Sequence, residues 1–500
     1  MRKIQTILMM LAAALVLTTP AAAKDPWVVA FGEEPFTLNP AGKGALAAVS
    51  DYVQIHIFDA LVDFTGPDLT LKPMLATRWE SPNPTTWRFY LRRDVKFHNG
   101  DPFTAEDVKF TIETELANKG ATVNAYLGPT EGARVIDPYT VEITTKTPFP
   151  ALLFNLSRVH ILPRAYDKLG VDAFAAKPIG SGPYRFVEWQ RGQRIVLDAN
   201  ADYWGGVPTP KRLTFRFIVD PSTRAAELRA GGVDIAINPP IAQVKELNTG
   251  DTTILTIPAA RAIAYPINTL QKPLGDVRVR RALNYAIDRE AIVRSLLQGF
   301  GQATGQPFAV GWLGYDESIK PYPYDPAQAK RLLTEAGYGN GIDVTWNVSL
   351  GAFLADKEIT EAAAAMLAQV GVRARLVPTE RAKIQKDLQS ATFDGITTGQ
   401  WGTIAESEIM VRWFFRTPRI FTPDLDTRLG QLATAAAGET DRDKRGKLYR
   451  DLAKFAHDEA LWLFIHHQDE VIAKRREIPW QVMVARGGKA HIYYFTLAPR

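Results

Sequence analysis

Residues 75–116 read LATRWESPNPTTWRFYLRRDVKFHNGDPFTAEDVKFTIETEL, and this stretch decides the fold. Trp87, Phe89 and Leu91 alternate with Arg88, Tyr90 and Arg92, the period of a strand with one buried and one wet face. Val95 to Phe97 reads as a second short strand running into a turn at Asn99-Gly100, a pair that tolerates the positive φ of a tight turn. A helix follows. Thr104 is placed to cap its free N–H groups, Asp107 stands three residues on in a capping-box position, and Phe103 is placed to staple onto Val108. Val108, Ile112 and Leu116 recur at i, i+4 and i+8 as the buried stripe.

The order W-x-F-x-L-R-x-x-V-K-F-H-x-G-x-P-F-T-A-E-D-V in this stretch resembles the signature of the bacterial extracellular solute-binding proteins of family 5. Those are the dipeptide, oligopeptide and nickel-chelate binding proteins of ABC importers. Most positions of the signature read as scaffold, and His98 reads as a turn-packing residue rather than a catalyst or metal ligand. Pro178 to Gly206, PIGSGPYRFVEWQRGQRIVLDANADYWGG, resembles the family again, with paired strands Tyr184 to Trp189 and Ile195 to Ala199 around Arg191-Gly192. So does PLGDVRVRRALNYAIDREAIVRSLLQGFG from Pro273, a helical stretch with Val279, Leu283 and Ile287 in register.

Elsewhere the periodicity is plainer. Trp27 to Phe31 is a buried-strand candidate, Tyr52 to Phe64 reads as a helix, and VIDPYTVEITTK from Val135 reads as a hairpin around Asp137-Pro138. Leu213 to Val219 is a strand, Ser222 to Ala230 a helix, and Val233 to Ile237 a short apolar strand. From Asp325 to Pro378 helix and strand alternate, which argues an α/β lobe. Asp441 to Glu459 is a further amphipathic helix.

Composition sets the outer bounds. Five hundred residues exceed what one core usually serves, and 46% apolar with 23% charged residues is ordinary for a folded soluble protein. The formal net charge of +5 comes from scattered Lys and Arg, a weak argument for nucleic acid, and none is expected as a partner. Arg2-Lys3, the apolar run Ile7 to Leu17 and Ala21-Ala22-Ala23 read as a signal peptide cleaved before Lys24. The chain has no cysteine, which removes disulfides, thiolate metal sites, cysteine nucleophiles and a lipoprotein's lipid-bearing cysteine. The expected location is therefore the periplasm of a Gram-negative cell, without a lipid anchor.

Catalytic patterns are missing. Gly180-Ser181-Gly182 has the wrong spacing for a nucleophile elbow and precedes a proline and a strand, where turn glycines explain it. No H-E-x-x-H, P-loop or dinucleotide fingerprint occurs. His466 and His467 are adjacent, so on a strand they face opposite ways and cannot share one metal. No enzyme activity, catalytic residue, metal or cofactor is expected.

The family resemblance implies an α/β periplasmic-binding-protein fold, two hinge-closing lobes with an extra inserted domain, three lobes in all. Lobe I takes 24–43, 178–268 and 479–500, the inserted lobe II takes 44–177, and lobe III takes 269–478. Ligand is expected between lobes I and III. The resemblance points to Glu34, Pro35 and Phe36 in the first loop, Tyr126, Asn238, and a stretch holding Gln400, Trp401, Gly402, Thr403, Glu406, Glu408 and Arg412. In the family's peptide binders a tryptophan is followed three positions later by an aspartate that pairs with the ligand's α-amine. Here that position is Ile404, so the usual anchor is missing and an ordinary free-amine peptide is disfavoured. Glu406 or Glu408 is placed to supply a displaced carboxylate, Arg412 to meet an anion, and Trp401 to stack on a ring. The implied function is a monomeric periplasmic substrate-binding component of a peptide-type ABC transporter. Its ligand is a peptide, modified peptide or opine- or sugar-like conjugate, and its partners are inner-membrane permease subunits with a cytoplasmic ATPase. An exported hydrolase on the same fold and a ligand-presenting protein for a chemoreceptor are the alternatives.

Overall fold

The computed structural model describes residues 25–45, 48–63, 71–119, 122–349, 353–390, 392–402, 407–416 and 427–481. Its largest element is a nine-stranded sheet centred on Trp27–Phe31, a segment apolar on both faces as a buried parallel strand requires. Arg212–Phe217 lies parallel on one side of it and Ile235–Ile237 parallel on the other. Beyond Arg212–Phe217 come Arg194–Ala199 and Tyr184–Gln190, the hairpin expected around Gly192. Beyond Ile235–Ile237 come two long antiparallel strands, Trp462–Arg475 and Thr252–Pro266. Sequence periodicity had not revealed either of them.

Those two strands join three cores. Ile257 and Ile472 pack with Trp27, Phe31, Val53 and Phe215 in the first core. Farther along, Ile263, Tyr265, Leu463 and Ile465 face one core of the third lobe, with Leu283 and Trp346. Ala262, Ala264, Trp462 and Phe464 face another, with Phe308 and Leu452, so period-two alternation serves both sides of the sheet. Pairing slips between Ile257 and Arg261, and again between Ile263 and Ala264. The first slip falls where the strand pair leaves the first of these cores and enters the others.

The opening stretch builds a separate core of its own. Thr86–Leu91 sits in a four-stranded sheet with Ala76–Asn83, Thr140–Thr145 and Thr130–Asp137, and packs Phe89 and Leu91 against Val108 and Ile112 of the helix Ala105–Ala117. Asp107 Oδ2 accepts from the Thr104 N–H at 2.8 Å and from Thr104 Oγ1 at 3.1 Å, which pins the helix start. Across the sheet's outer face Glu80, Arg88, Glu142 and Arg134 alternate in sign, at 3.2, 2.7 and 2.5 Å.

Two expectations are corrected. Val95 to Phe97 forms no strand, only a single bridge between Lys96 and Pro102, because the His98 N–H is drawn to the Gly180 carbonyl at 2.8 Å. The helix expected over Tyr52 to Phe64 runs Ala48–Ile57 instead. It ends where the Gly180–Gly182 segment crosses its last carbonyl, with Gly182 N donating to Ile57 O at 2.9 Å. A Cβ at Gly180 would lie 1.9 Å from that oxygen, so the glycines serve close backbone approach.

Candidate ligand-binding site

In the sheet, Trp27–Phe31 lies between two parallel neighbours that follow it in the chain, which makes its carboxyl end a topological switch point. Open α/β sheets bind ligands in the crevice outside such an end. The loop after Phe31 and the residues after Ile237 border it, which places Glu34, Pro35, Phe36 and Asn238 on one rim. Glu34 is already engaged: Oε1 accepts from Trp189 Nε1 at 2.7 Å, Oε2 from the Gly192 N–H at 3.0 Å, and Arg191 lies at 3.8 Å. It braces the loop against the neighbouring hairpin. Pro35 is buried, whereas the Phe36 ring is 67% exposed on a backbone tied to Ser50 Oγ at 3.0 Å.

Asn238 is the unusual one. Its φ is 49°, its N–H donates to the Val471 carbonyl at 2.9 Å, and its buried Oδ1 has no hydrogen-bond partner among the described residues. A strained backbone carrying an unsatisfied buried acceptor is more expensive than a plain strand end needs.

Opposed charges gather around Tyr52 and Tyr126. Asp51, on the Ala48–Ile57 helix, pairs with Arg158 and lies 3.6 Å from His160 Nε2. Burial pushes the Asp51 carboxyl up, but Arg158 and His160 outweigh it and hold it below the usual range. The Tyr126 phenol is raised by burial, in the fields of Arg158 and Asp51 on its own side and of Arg412 and Glu408 from the third lobe. Burial also raises Tyr52, which feels Glu470 and Arg261 as well as Asp51 and Arg158. Arg412 Nη2 donates to Glu408 Oε2 at 3.1 Å, and Arg261 lies 3.8 Å from Glu470. The Arg412 guanidinium also stands 5.7 Å over the Phe149 ring, so the third lobe touches the second.

Tyr126, Glu408 and Arg412 are therefore brought together, while Glu34 to Phe36 and Asn238 sit on the sheet rim. Gln400–Gly402 forms a short edge strand beside Arg261–Ile263, with Trp401 opposite Ala262. Thr403, Ile404 and Glu406 lie outside the described residues. Sequence reasoning missed Asp51, Tyr52, Arg158, His160, Arg261 and Glu470. Their signal was charge inside apolar runs, as in NLSRVHIL and DEVIA, since lone buried charges are rare unless paired.

His466 and His467 both lie buried on Trp462–Arg475, the first near Phe353 and the second near Tyr315. Among the described residues no group of three or more His, Asp or Glu is arranged to hold a metal ion, and no helix is long and apolar enough to cross a membrane.

The model of "Bacterial extracellular solute-binding proteins, family 5 Middle" matches residues 70–421. The chain belongs to family 5 of the extracellular solute-binding proteins. The glutathione-binding protein GsiB of Pectobacterium atrosepticum is 30% identical over 489 residues, 93% of each chain. Among solved structures, NikA from Brucella suis in complex with Fe(III)-EDTA superposes with a TM-score of 0.82 at 26% identity, over 93% of this chain and 97% of that one. The ABC transporter-associated periplasmic binding protein DppA from Helicobacter pylori, in complex with the peptide STSA, gives 0.80 at 25% identity over 95% and 98%. The first and third are named as binding proteins, and the second holds a chelate. As a family 5 member, this protein is the substrate-binding component of an ABC importer on the two-lobed fold.

Proposed function

We propose that the protein is exported through residues 1–23 to the periplasm and works there as a non-catalytic monomer. It captures a zwitterionic solute without net charge and delivers it to an inner-membrane permease driven by a cytoplasmic ATPase. The carrying observation is the set of three pairs, Asp51–Arg158, Glu408–Arg412 and Arg261–Glu470, gathered around Tyr52 and Tyr126. Each guanidinium already faces a carboxylate. A solute with net charge would leave one buried charge uncompensated, at several kcal/mol, whereas one with both signs exchanges partners without a surplus. A modified peptide or opine- or sugar-like conjugate with balanced charges fits, and Ile404 disfavours the plain free-amine peptide.

In this reading Phe36, Tyr126, Asn238, Trp401, Glu408 and Arg412 contact the solute. Pro35, Gln400 and Gly402 shape its surroundings, and Glu34 supports the loop. The hinge is the slipped register at 258–260, opposite Asp469, so the lobe I and III boundaries move there from 268 and 478. The solute shifts the population toward the closed form by its differential affinity.

The test is mass spectrometry of small molecules released on denaturing protein purified from periplasm, followed by a thermal-shift panel of net-neutral, anionic and cationic solutes of matched size. A released zwitterion and stabilisation by net-neutral compounds are expected. A released anion or cation, or stabilisation by charged compounds alone, would overturn the charge argument.

A further inference from the structure

Arg224 lies on the helix Pro221–Ala230, which links the two parallel neighbours of the central strand, and it is 5% exposed. Four of its five N–H donors meet backbone carbonyls. Nε reaches Ile237 O at 3.1 Å, Nη1 reaches Ile218 O at 2.6 Å and Val219 O at 2.9 Å, and Nη2 reaches Asn238 O at 2.7 Å. A Cβ on Gly32 would come within 3.0 Å of Nη1, so the guanidinium plane also rests against the first residue after the central strand. Among the described residues no carboxylate stands within ion-pair distance of it.

These contacts all fall at one place. Phe31-Gly32, Ile218-Val219 and Ile237-Asn238 are the carboxyl ends of three adjacent parallel strands; Phe31 O already accepts from the Ile218 N–H at 2.8 Å, and Arg224 takes up the last carbonyls of the two flanking strands. A planar fork with donors on three nitrogens is suited to span carbonyls from separate strands; the point charge of lysine is not. By holding the Asn238 carbonyl while Val471 accepts its N–H, the arrangement fixes Asn238 at positive φ and leaves Oδ1 without a protein donor.

We propose that Arg224 is a positioning residue for the solute crevice. It ties the ends of the two flanking strands together across Gly32 and holds the Asn238 carboxamide oxygen ready to accept a hydrogen bond from a solute N–H. This gives the crevice an acceptor that recognises a solute donor. The inference rests on the binding reading above, but its test needs no solute, so the two fail separately.

The test is hydrogen exchange by mass spectrometry on the full chain with Arg224→Lys and Arg224→Ala. Exchange is expected to quicken roughly tenfold together in 218–220 and 238–243, as loss of shared hydrogen bonds implies, with the Arg442–Asp458 helix unchanged. Millimolar guanidinium should restore protection in Arg224→Ala, a response that a merely space-filling role would not give. If Arg224→Ala does not fold, Arg224→Lys carries the test through nuclear magnetic resonance with labelled asparagine. The Asn238 side-chain signal, identified by its loss in Asn238→Ser, should broaden. Quickening confined to the Pro221–Ala230 helix, quickening spread evenly over the chain, or an unchanged Asn238 signal would overturn the proposal.

Discussion

Glu115 is a carboxyl sealed inside the second lobe, 1% exposed, with Oε2 lacking a hydrogen-bond partner among the described residues. Burial pushes its pKa up to about 8. A folded state that prefers the neutral acid is most stable below the ordinary glutamate range and loses that advantage as pH rises toward about 8. Glu115→Gln should therefore unfold later than the parent at pH 8 and above, by a few kcal/mol, and show little difference near pH 4. His98 works in the opposite sense. Its Nε2 donates to Gly182 O at 3.0 Å and its Nδ1 accepts from the Gly180 N–H at 3.3 Å, so the neutral ring fills both positions. Burial lowers its pKa to about 4. The stability it contributes is complete above the ordinary histidine range and falls away as pH drops toward about 4. His98→Gln should flatten the acid limb of a melting-temperature profile over that window, removing on the order of 2–3 kcal/mol of its fall.

At the scale of elements, the Gly180–Gly182 crossing shows how one local sequence ends another element. The end of the Ala48–Ile57 helix depends on a strand-leading segment more than a hundred residues later, so no window around Ile57 contained the reason. Gly180→Ala would drive a Cβ into the Ile57 carbonyl and should cost more than about 4 kcal/mol in urea denaturation, or leave no folded protein. Gly192, at the hairpin tip with φ of +70°, has nothing within 4 Å of such a Cβ. Gly192→Ala should therefore cost only the backbone strain, about 1 kcal/mol. Equal losses at the two sites would contradict the close-approach explanation.

For the whole molecule, the long strand pair is the passage between cores, and Arg412 reaches over to the Phe149 ring of another core. Adding the solute released from periplasmic protein should lower the radius of gyration in small-angle scattering, and an unchanged value would argue against hinge closure. Arg412→Lys keeps a cation against Glu408 but loses the plane above Phe149, so it should weaken solute binding by about 1 kcal/mol in calorimetry while leaving the unfolding midpoint nearly unchanged. A changed midpoint with unchanged affinity would make Arg412 a packing residue of the third lobe.

The sequence by itself determined those elements whose periodicity and caps fit within a short window. Trp27–Phe31, the Thr104–Asp107 helix start, the hairpins at Asp137 and Gly192, and the strand Val372–Pro378 were all legible because φ/ψ preference and burial repeat locally. The family resemblance named the binding architecture from the same stretches. Tertiary structure alone decided the rest. Trp462–Arg475 is buried on both faces along nearly its whole length, so it offers no alternation to read, and Thr252–Pro266 is interrupted by its own register slip. The charged face needed the fold to bring Asp51 to Arg158 and Arg261 to Glu470. Pairings over such separations are set by how the chain crosses between lobes, and no local pattern encodes a crossing.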